Sequence, residues 1–256
     1  MKNKKRILII IFAYNAESTI ENVLHRISKK TINEASEIIV ADDASQDNTS
    51  DIARKYKKNN NFKKLKIIKH LKNKGYGGNQ KWGYKYAIKH KFDIVVMLHG
   101  DAQYPPEYVH SIIEPILLEN ADFVFGSRMM GHPLKGGMPL YKFFGNKFLT
   151  FVENFILHTN LSEFHSGFRA YSIKALKDIP FNKNSDDFHF DSEIIIQLVI
   201  AKNKIKEFAI PTRYGIEKCY VNPVFYGLNI LKILGQYLLN KLNVRKYEKF
   251  NVKNES

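Results

Sequence analysis

The sequence has almost no cysteine and no long apolar run. Its 256 residues contain one cysteine, Cys219, so no disulfide can form within the chain and no thiol pair is present to hold zinc. A reducing, cytoplasmic compartment is therefore expected. The apolar run at residues 7–13 is too short for a signal peptide or a membrane span, and no other run approaches spanning length. We expect neither feature.

Acidic residues are also scarce relative to basic ones. Forty Lys and Arg residues against 25 Asp and Glu residues give a net charge of +15. This charge favours an anionic partner such as nucleic acid, a lipid surface or a phosphorylated substrate, and it equally fits a lysine-rich solvated surface. The 18 phenylalanines fall on apolar stripes and do not alternate with lysine, so nucleic acid is not expected as a partner.

Short apolar runs alternate with helical stretches along the first half of the chain. The runs are rich in Ile, Val and Leu at successive positions, which indicates strands buried on both faces of a mostly parallel sheet. The expected strands are residues 7–13, 37–41, 65–69, 94–98 and 121–125. The fold class predicted is α/β, with helices on both faces of the sheet.

The second half is less regular. We expect helices at about 142–157, 190–201 and 223–242, and a short strand near 205–210. Four phenylalanines and one valine share one stripe of the first of these helices, and we expect that stripe to pack in the core: Phe144, Phe148, Phe151, Val152 and Phe155.

The last predicted helix carries a leucine stripe beside basic residues. This pattern is typical of a helix that lies on an anionic membrane, and packing against the rest of the chain is the alternative. The stripe consists of Leu231, Leu234, Leu238 and Leu242.

Polar residues follow the first two expected strands, at the sheet edge where parallel sheets bind ligands. Tyr14 and Asn15 follow the first strand, and Asp42 and Asp43 end the second. The serine and aspartate that come next suit an Asx turn and a helix N-cap, which leaves the two adjacent carboxylates to meet a ligand. A nucleotide base or ribose is a suitable partner.

A glycine-rich loop follows the third strand. It runs over residues 73–81 and includes Asn73, Gly75 and Gly77. Its bare amides could bind a phosphate at the start of a helix, or its glycines could simply adopt positive φ angles in a plain loop.

The fourth strand is followed by His99, Asp101 and Gln103. Residues two apart on a strand point to the same side, so Asp101 and Gln103 are expected to face the crevice together. Two hard oxygen ligands suit Mg²⁺ or Mn²⁺ completed by a substrate diphosphate, whereas the alternative is a polar turn before Pro105 and Pro106. Arg128 and Arg169 are candidates for bidentate phosphate binding.

In this order, the motifs resemble those of family 2 glycosyltransferases of the GT-A fold, most closely the dolichyl-phosphate and polyprenyl-phosphate sugar synthases. The resemblance covers about residues 7–222. It implies a Rossmann-like GT-A domain over 1–221, with a nucleotide-binding half of about 1–128 and an acceptor half of about 129–221. A C-terminal amphipathic helix and basic tail over 222–256 would follow.

The resemblance also implies roles for individual residues. Asp101 and Gln103 would hold Mg²⁺ or Mn²⁺, and Arg128, Ser166 and Arg169 would bind substrate phosphates. The nucleotide-sugar would contact Ala13, Tyr14, Asn15, Glu17, Asp42, Asp43, Asn73, Gly75, Gly77 and His99.

This chain departs from the family pattern at three positions. His99 stands where the family usually has the first Asp of its Asp-x-Asp motif. Glu17 lies one residue later than the family's acid, and Glu163 stands where the family often has Asp.

The activity implied is metal-dependent, inverting transfer of a sugar from a nucleotide-diphosphate donor to a polyprenyl phosphate, with Asp101, Glu163 and Asp191 as catalytic carboxylates. A phosphate acceptor is already ionised, whereas a sugar hydroxyl would require Glu163 or Asp191 to take its proton. Transfer to a saccharide hydroxyl in surface glycan assembly is the alternative, and a non-catalytic nucleotide-sugar-binding protein is a third hypothesis. The sugar, the base and the oligomeric state do not follow from the sequence.

Overall fold

The computed structural model describes residues 4–211 and 222–252 and is built around one seven-stranded sheet. The strands are β1 (Ile7–Ala13), β2 (Glu37–Asp42), β3 (Leu65–Lys69), β4 (Ile94–His99), β5 (Phe123–Ser127), β6 (Arg169–Ser172) and β7 (Ile205–Ala209). They are ordered β3-β2-β1-β4-β6-β5-β7 across the sheet. Neighbouring strands are parallel except that β6 runs antiparallel to β4 and β5. The predicted mostly parallel α/β sheet is confirmed.

Helices cover both faces of the sheet. They are α1 (Ile20–His25), α2 (Lys29–Glu34), α3 (Thr49–Asn59), α4 (Tyr76–Lys89), α5 (Val109–Leu117), α6 (Leu140–Leu157), α7 (Ile173–Asp178), α8 (Phe190–Ile200) and α9 (Pro223–Lys241). Short 3-10 helices lie at Pro106–Tyr108, Phe181–Lys183 and Glu248–Phe250. Alternate residues of β1 explain the two layers, since Leu8 and Ile10 pack with α4 and α8 whereas Ile9 and Ile11 pack with α1 and α5.

Strand β6 was not predicted. It has four residues, Arg-Ala-Tyr-Ser, and lacks the apolar run that identified the other strands. It inserts between β4 and β5, where Ala170 pairs with Val96 and with Val124. This insertion places Arg169 between Met97 of β4 and Phe125 of β5, which bears on its predicted role.

The four phenylalanines of the α6 stripe are exposed, so the expectation that they pack in the core is wrong, whereas Val152 of the same stripe is half-buried against the core. The exposed fractions of the four side chains run from 59% for Phe148 to 75% for Phe155. The buried side of α6 instead carries Leu149, Glu153 and Leu157. The 3.6-residue period showed which residues share a face, but that period does not say which face meets the rest of the chain.

Helix α9 packs on the core by one side and exposes the other. Leu234 of the leucine stripe is buried beside Ile230 and Ile233, whereas Leu231 and Leu238 of the same stripe are exposed. Beyond α9, Phe250 and Val252 are buried, so part of the predicted tail packs on the domain. No helix in the described part of the chain is long and apolar enough to cross a membrane. The predicted boundary at residue 221 lies outside the described residues.

Candidate active site

The ends of β1 and β2 are tied together at the crevice. Asn15 has a φ of 48°, and its Oδ1 accepts a hydrogen bond from the backbone N–H of Gln46 at 2.9 Å. Glu17 Oε2 accepts from the backbone N–H of Asn48 at 3.1 Å, just before α3, so this carboxylate serves the start of the helix. Tyr14 keeps 42% of its surface exposed and lies at the mouth of the crevice.

Asp42 and Asp43 have different surroundings. Asp42 is fully buried, and its two oxygens accept from the backbone N–H of Ser45 and the hydroxyl of Ser50, so it does not face a ligand as predicted. Asp43 donates its backbone N–H to Ala13 O at 2.8 Å, and its Oδ1 accepts from a backbone N–H of the 73–78 loop at 2.8 Å. Burial raises the pKa of the Asp43 carboxyl above its ordinary value. Asp43 therefore joins the second strand end to the glycine loop.

The glycine loop is held by the chain itself. Asn73 Oδ1 accepts from the backbone N–H of Gly75 at 2.8 Å, and Gly77 donates its N–H to Asp186 O at 2.8 Å. A Cβ at Gly77 would lie 2.6 Å from Ser185 O, and Gly75 has a φ of 76°. These glycines allow the backbone of residues 185–186 to approach closely. Both amides are hydrogen-bonded within the chain, which fits the plain-loop alternative better than a phosphate site.

Asp101 and Gln103 lie in a turn after β4, not on the strand. Asp101 Oδ1 accepts from the backbone N–H of Gln103 at 3.1 Å, and Ala102 between them has a φ of 63°. The turn, rather than strand alternation, brings the two residues together. Both side chains are partly exposed.

His99 packs inward from the end of β4. Its ring lies 5.5 Å from that of Tyr76 and 5.1 Å from that of Tyr104, and a Cβ at Gly167 would lie 2.4 Å from its Nε2. Burial lowers the pKa of His99, although the charges of Asp101 and Asp191 oppose that shift. The imidazole is therefore neutral near pH 7 and packs directly against Gly167.

The oxygen ligands present fit a divalent ion that the substrate helps to hold. Asp101 and Gln103 supply carboxylate and amide oxygens, which Mg²⁺ and Mn²⁺ prefer. Within residues 4–211 and 222–252, no three His, Cys, Asp or Glu side chains lie close enough together to hold a metal ion. The remaining ligands would come from a diphosphate and from water, as is usual for magnesium sites.

Arg128, which follows β5, forms an ion pair with the buried Glu163. The carboxylate, fully buried, accepts from the backbone N–H of Arg128 at 2.8 Å and from its Nε at 2.9 Å, with a further bond from Nη2. Asn146 of α6 adds a donor at 2.9 Å. Burial would raise the pKa of Glu163, but the charge and hydrogen bonds of Arg128 outweigh it and lower that pKa. Glu163 is thus an ionised anchor for Arg128, whose side chain stays 15% exposed.

Arg169 and Asp191 form a second ion pair, in which both side chains are buried. Arg169 has no exposed surface, and its Nε and Nη2 donate to Ser166 O at 2.6 Å and Phe164 O at 2.9 Å. Its Nη1 lies 3.4 Å from Asp191 Oδ1. The phosphate-binding role predicted for Arg169 therefore disagrees with its burial inside β6.

Both carboxylate oxygens of Asp191 also accept hydrogen bonds, which argues against its predicted role as a base. Its Oδ2 accepts from the hydroxyl of Tyr76 at 2.7 Å, and its Oδ1 accepts from Gln80 Nε2 at 3.2 Å. Ser166, predicted to bind phosphate, is also fully buried.

Several residues around the Arg128–Glu163 pair were missed by sequence reasoning. His165 accepts from Arg128 Nη2 through its backbone oxygen at 2.9 Å, and its Nδ1 lies 2.9 Å from the hydroxyl of Tyr226 in α9. Its Nε2 lies 3.2 Å from the buried Glu153 of α6. Asn146 and Glu153 are polar residues within a phenylalanine-rich helix, and that contrast was the available signal.

Comparison with known proteins identifies the family. Residues 8–180 match the family model described as glycosyl transferase family 2. The UDP-N-acetylglucosamine–dolichyl-phosphate N-acetylglucosaminyltransferase of Methanococcus voltae is 32% identical over 90% of this chain and 97% of its own length. The undecaprenyl-phosphate mannosyltransferase of Micrococcus luteus is 24% identical over 80% of this chain and 82% of its own length.

Solved structures share the fold. Glucosyl-3-phosphoglycerate synthase from Mycobacterium tuberculosis, in complex with Mn²⁺, uridine-diphosphate and phosphoglyceric acid, superimposes with a TM-score of 0.64 and 18% identity. The match covers 99% of this chain and 81% of that structure, and it supports the GT-A fold. With the strand-end motifs on a mostly parallel sheet and the family match over residues 8–180, the chain belongs to glycosyltransferase family 2 and is a glycosyltransferase.

Proposed function

We propose that this glycosyltransferase moves a sugar from a nucleotide-diphosphate sugar to a polyprenyl phosphate, with inversion at the anomeric carbon and with Mg²⁺ or Mn²⁺ as cofactor. The dolichyl-phosphate and undecaprenyl-phosphate named in two relatives support this acceptor. The Mn²⁺ and uridine-diphosphate held by a structural neighbour support the cofactor and donor class.

The main support for a phosphate acceptor is that both predicted bases already accept hydrogen bonds within the protein. Glu163 is bound by Arg128, and Asp191 is bound by Tyr76 and Gln80. A saccharide hydroxyl needs a base to take its proton, whereas a phosphate oxygen is ionised near neutral pH and needs chiefly to be positioned. The engaged carboxylates therefore favour a phosphate acceptor.

Each residue has a physical task in this proposal. Asp101 and Gln103 would hold the divalent ion, which when bound stabilises the charge of the departing nucleoside diphosphate. Arg128 presents a cationic edge to a phosphate, because Glu163 and the backbone oxygen of His165 fix the orientation of its guanidinium. Because this positive charge is already oriented, it can stabilise negative charge in a transition state without rearrangement of the protein.

We also propose that the protein acts at the cytoplasmic face of a membrane, lying on it peripherally. A polyprenyl chain resides in the bilayer, so an enzyme that uses it must reach the membrane surface. The exposed leucines of α9 beside lysines support this location.

A donor screen tests the donor site. Thermal unfolding is followed with Mg²⁺ or Mn²⁺ and with UDP, GDP and their sugar conjugates, beginning with UDP-N-acetylglucosamine because a relative uses it. We expect a metal-dependent rise in melting temperature for one nucleotide. The rise is expected to vanish in Asp101→Ala and to persist in Asp51→Ala, whose carboxylate is exposed on α3. No shift with any nucleotide would contradict the donor site.

A transfer assay tests the acceptor. The donor that passes the screen is incubated with a short-chain polyprenyl phosphate or with free saccharides, and products are identified by mass spectrometry. A sugar-phosphate-prenyl product is expected. Transfer only to saccharide would support the alternative acceptor and overturn this one.

A further inference from the structure

Helices α6 and α9 leave large apolar side chains in contact with solvent. On α6 these are Phe144, Phe148, Phe151 and Phe155, which are 59–75% exposed. On the first turns of α9 they are Val224, Phe225 and Leu228, which are 57–68% exposed. We call these seven residues the apolar face.

The apolar face results from how the two helices pack. Its four phenylalanines follow one another at intervals of four, three and four residues, so they share one side of α6. The other side of α6 is buried, and the two helices contact each other where Gly227 lies against Leu149. Soluble proteins seldom expose so many neighbouring large apolar groups, and such surfaces mark sites of interaction.

The inner sides of the same helices contact the residues that hold Arg128, to which the proposed function assigns a phosphate. Asn146 of α6 donates to Glu163 at 2.9 Å, and the Tyr226 hydroxyl of α9 lies 2.9 Å from His165, whose backbone oxygen accepts from Arg128. A helix with its side chains is about 10 Å thick. Because Glu163 lies between Asn146 and Arg128, Arg128 is at least about one helix diameter from the apolar face.

This depth is suited to a lipid phosphate. Helices that lie in a bilayer interface bury their apolar side about 5–10 Å into the boundary between headgroups and acyl chains. The layer immediately above such a helix is the headgroup layer, where phosphates are held.

The charge around the apolar face is also complementary to anionic lipid. Exposed lysines are present on both helices, Lys147 on α6 and Lys232 and Lys241 on α9. The only acidic residue in either helix is Glu153, which is buried against His165. Exposed charge on the two helices is therefore entirely positive, as in interfacial helices that bind anionic membranes.

We propose that the apolar face inserts into an anionic bilayer. Helices α6 and α9 then lie in the membrane plane, and Arg128 lies at the level of the lipid phosphates. The inference deepens the proposed function and rests on it for the acceptor, but the docking itself requires neither donor nor acceptor. The phenylalanines of α6 are the inserting element, and α9 alone is insufficient.

Vesicle flotation tests this docking. The whole chain, without nucleotide, is mixed with vesicles of phosphatidylcholine or of phosphatidylcholine with phosphatidylglycerol, and the bound fraction is measured. The test variant is Phe151→Ser with Phe155→Ser. Its matched control is Leu71→Ser with Leu118→Ser, which removes two leucines that are 101% and 63% exposed and lie outside both helices.

We expect the wild type to bind the anionic vesicles and to release from them as salt is raised. The phenylalanine variant is expected to lose about tenfold or more of its partitioning, since two large apolar groups no longer enter the membrane. The leucine control is expected to bind like the wild type. All three proteins should melt at similar temperatures, because the substituted side chains are exposed.

Other outcomes overturn the docking or the function separately. If the wild type fails to bind anionic vesicles but glycosylates a short-chain polyprenyl phosphate in solution, the docking is wrong and the proposed function stands. If it floats but transfers no sugar to that phosphate, the function fails and the docking stands. If light scattering shows a dimer that the phenylalanine variant abolishes while no vesicles are bound, the face joins two copies of the chain.

Discussion

Replacing Asp191 with Asn tests whether this carboxylate holds Arg169 in place or takes a proton. The substitution keeps the size of the side chain but removes the negative charge 3.4 Å from Arg169 Nη1, in a pair whose side chains are 0% and 5% exposed. It also places an amide donor beside the hydroxyl of Tyr76 or the amide of Gln80. Leaving a buried charge without its partner costs about 3–5 kcal/mol. We expect the free energy of unfolding to fall by about that amount.

Urea unfolding followed by far-ultraviolet circular dichroism measures this loss. For a chain of this size, it corresponds to a fall in melting temperature of about 6–20 °C. The control Asp51→Asn alters an exposed pair with Arg54 and should change the free energy of unfolding by less than about 0.5 kcal/mol. The reasoning is refuted if Asp191→Asn unfolds like the wild type and instead flattens the pH dependence of kcat, because Asp191 would then act as a base.

Two further predictions concern neighbouring contacts. Because Arg128 holds the pKa of Glu163 below its ordinary value of 4.5 despite burial, the pair stabilises the fold above that pH and loses its effect as pH falls through the folded pKa. The free energy of unfolding of Glu163→Gln, measured with urea, should therefore be lower than that of the wild type at pH 7. The difference between the two proteins should shrink below about pH 4.5, and a difference that does not change with pH would argue against the ion pair. Gly167→Ala places a Cβ 2.4 Å from His99 Nε2 and should cost about 1–3 kcal/mol. In thermal unfolding, adding His99→Ala should restore part of that loss, whereas additive effects would contradict the close contact.

The strands of the first half could be predicted because their runs are continuous. Residues 7–13 and 94–98 were expected as strands and lie in β1 and β4, where they are buried. A continuous apolar run exposes apolar side chains on both faces of its strand, so both faces must be covered, and helices packed on each side of the sheet cover them. Strand β6 escaped prediction because its four residues carry an arginine and a serine, whose burial depends on partners elsewhere in the chain.

The candidate site could be predicted in its position but not in the direction of its side chains. The strand-end rule located the Asp101–Gln103 turn and Arg128. It did not show that Asp42 is bound by Ser45 and Ser50.

The sequence by itself determined six of the seven strands, the order of the motifs, the family and the excess of positive charge. Only the tertiary structure decided which polar groups turn inward and which apolar groups remain outside. Asp191 meets Tyr76 across 115 residues of chain, and such a pair leaves no local pattern. The phenylalanines of α6 share a face by their spacing, but whether that face is buried depends on what packs against it. Periodicity is a property of one segment, whereas burial and ion pairing are properties of two.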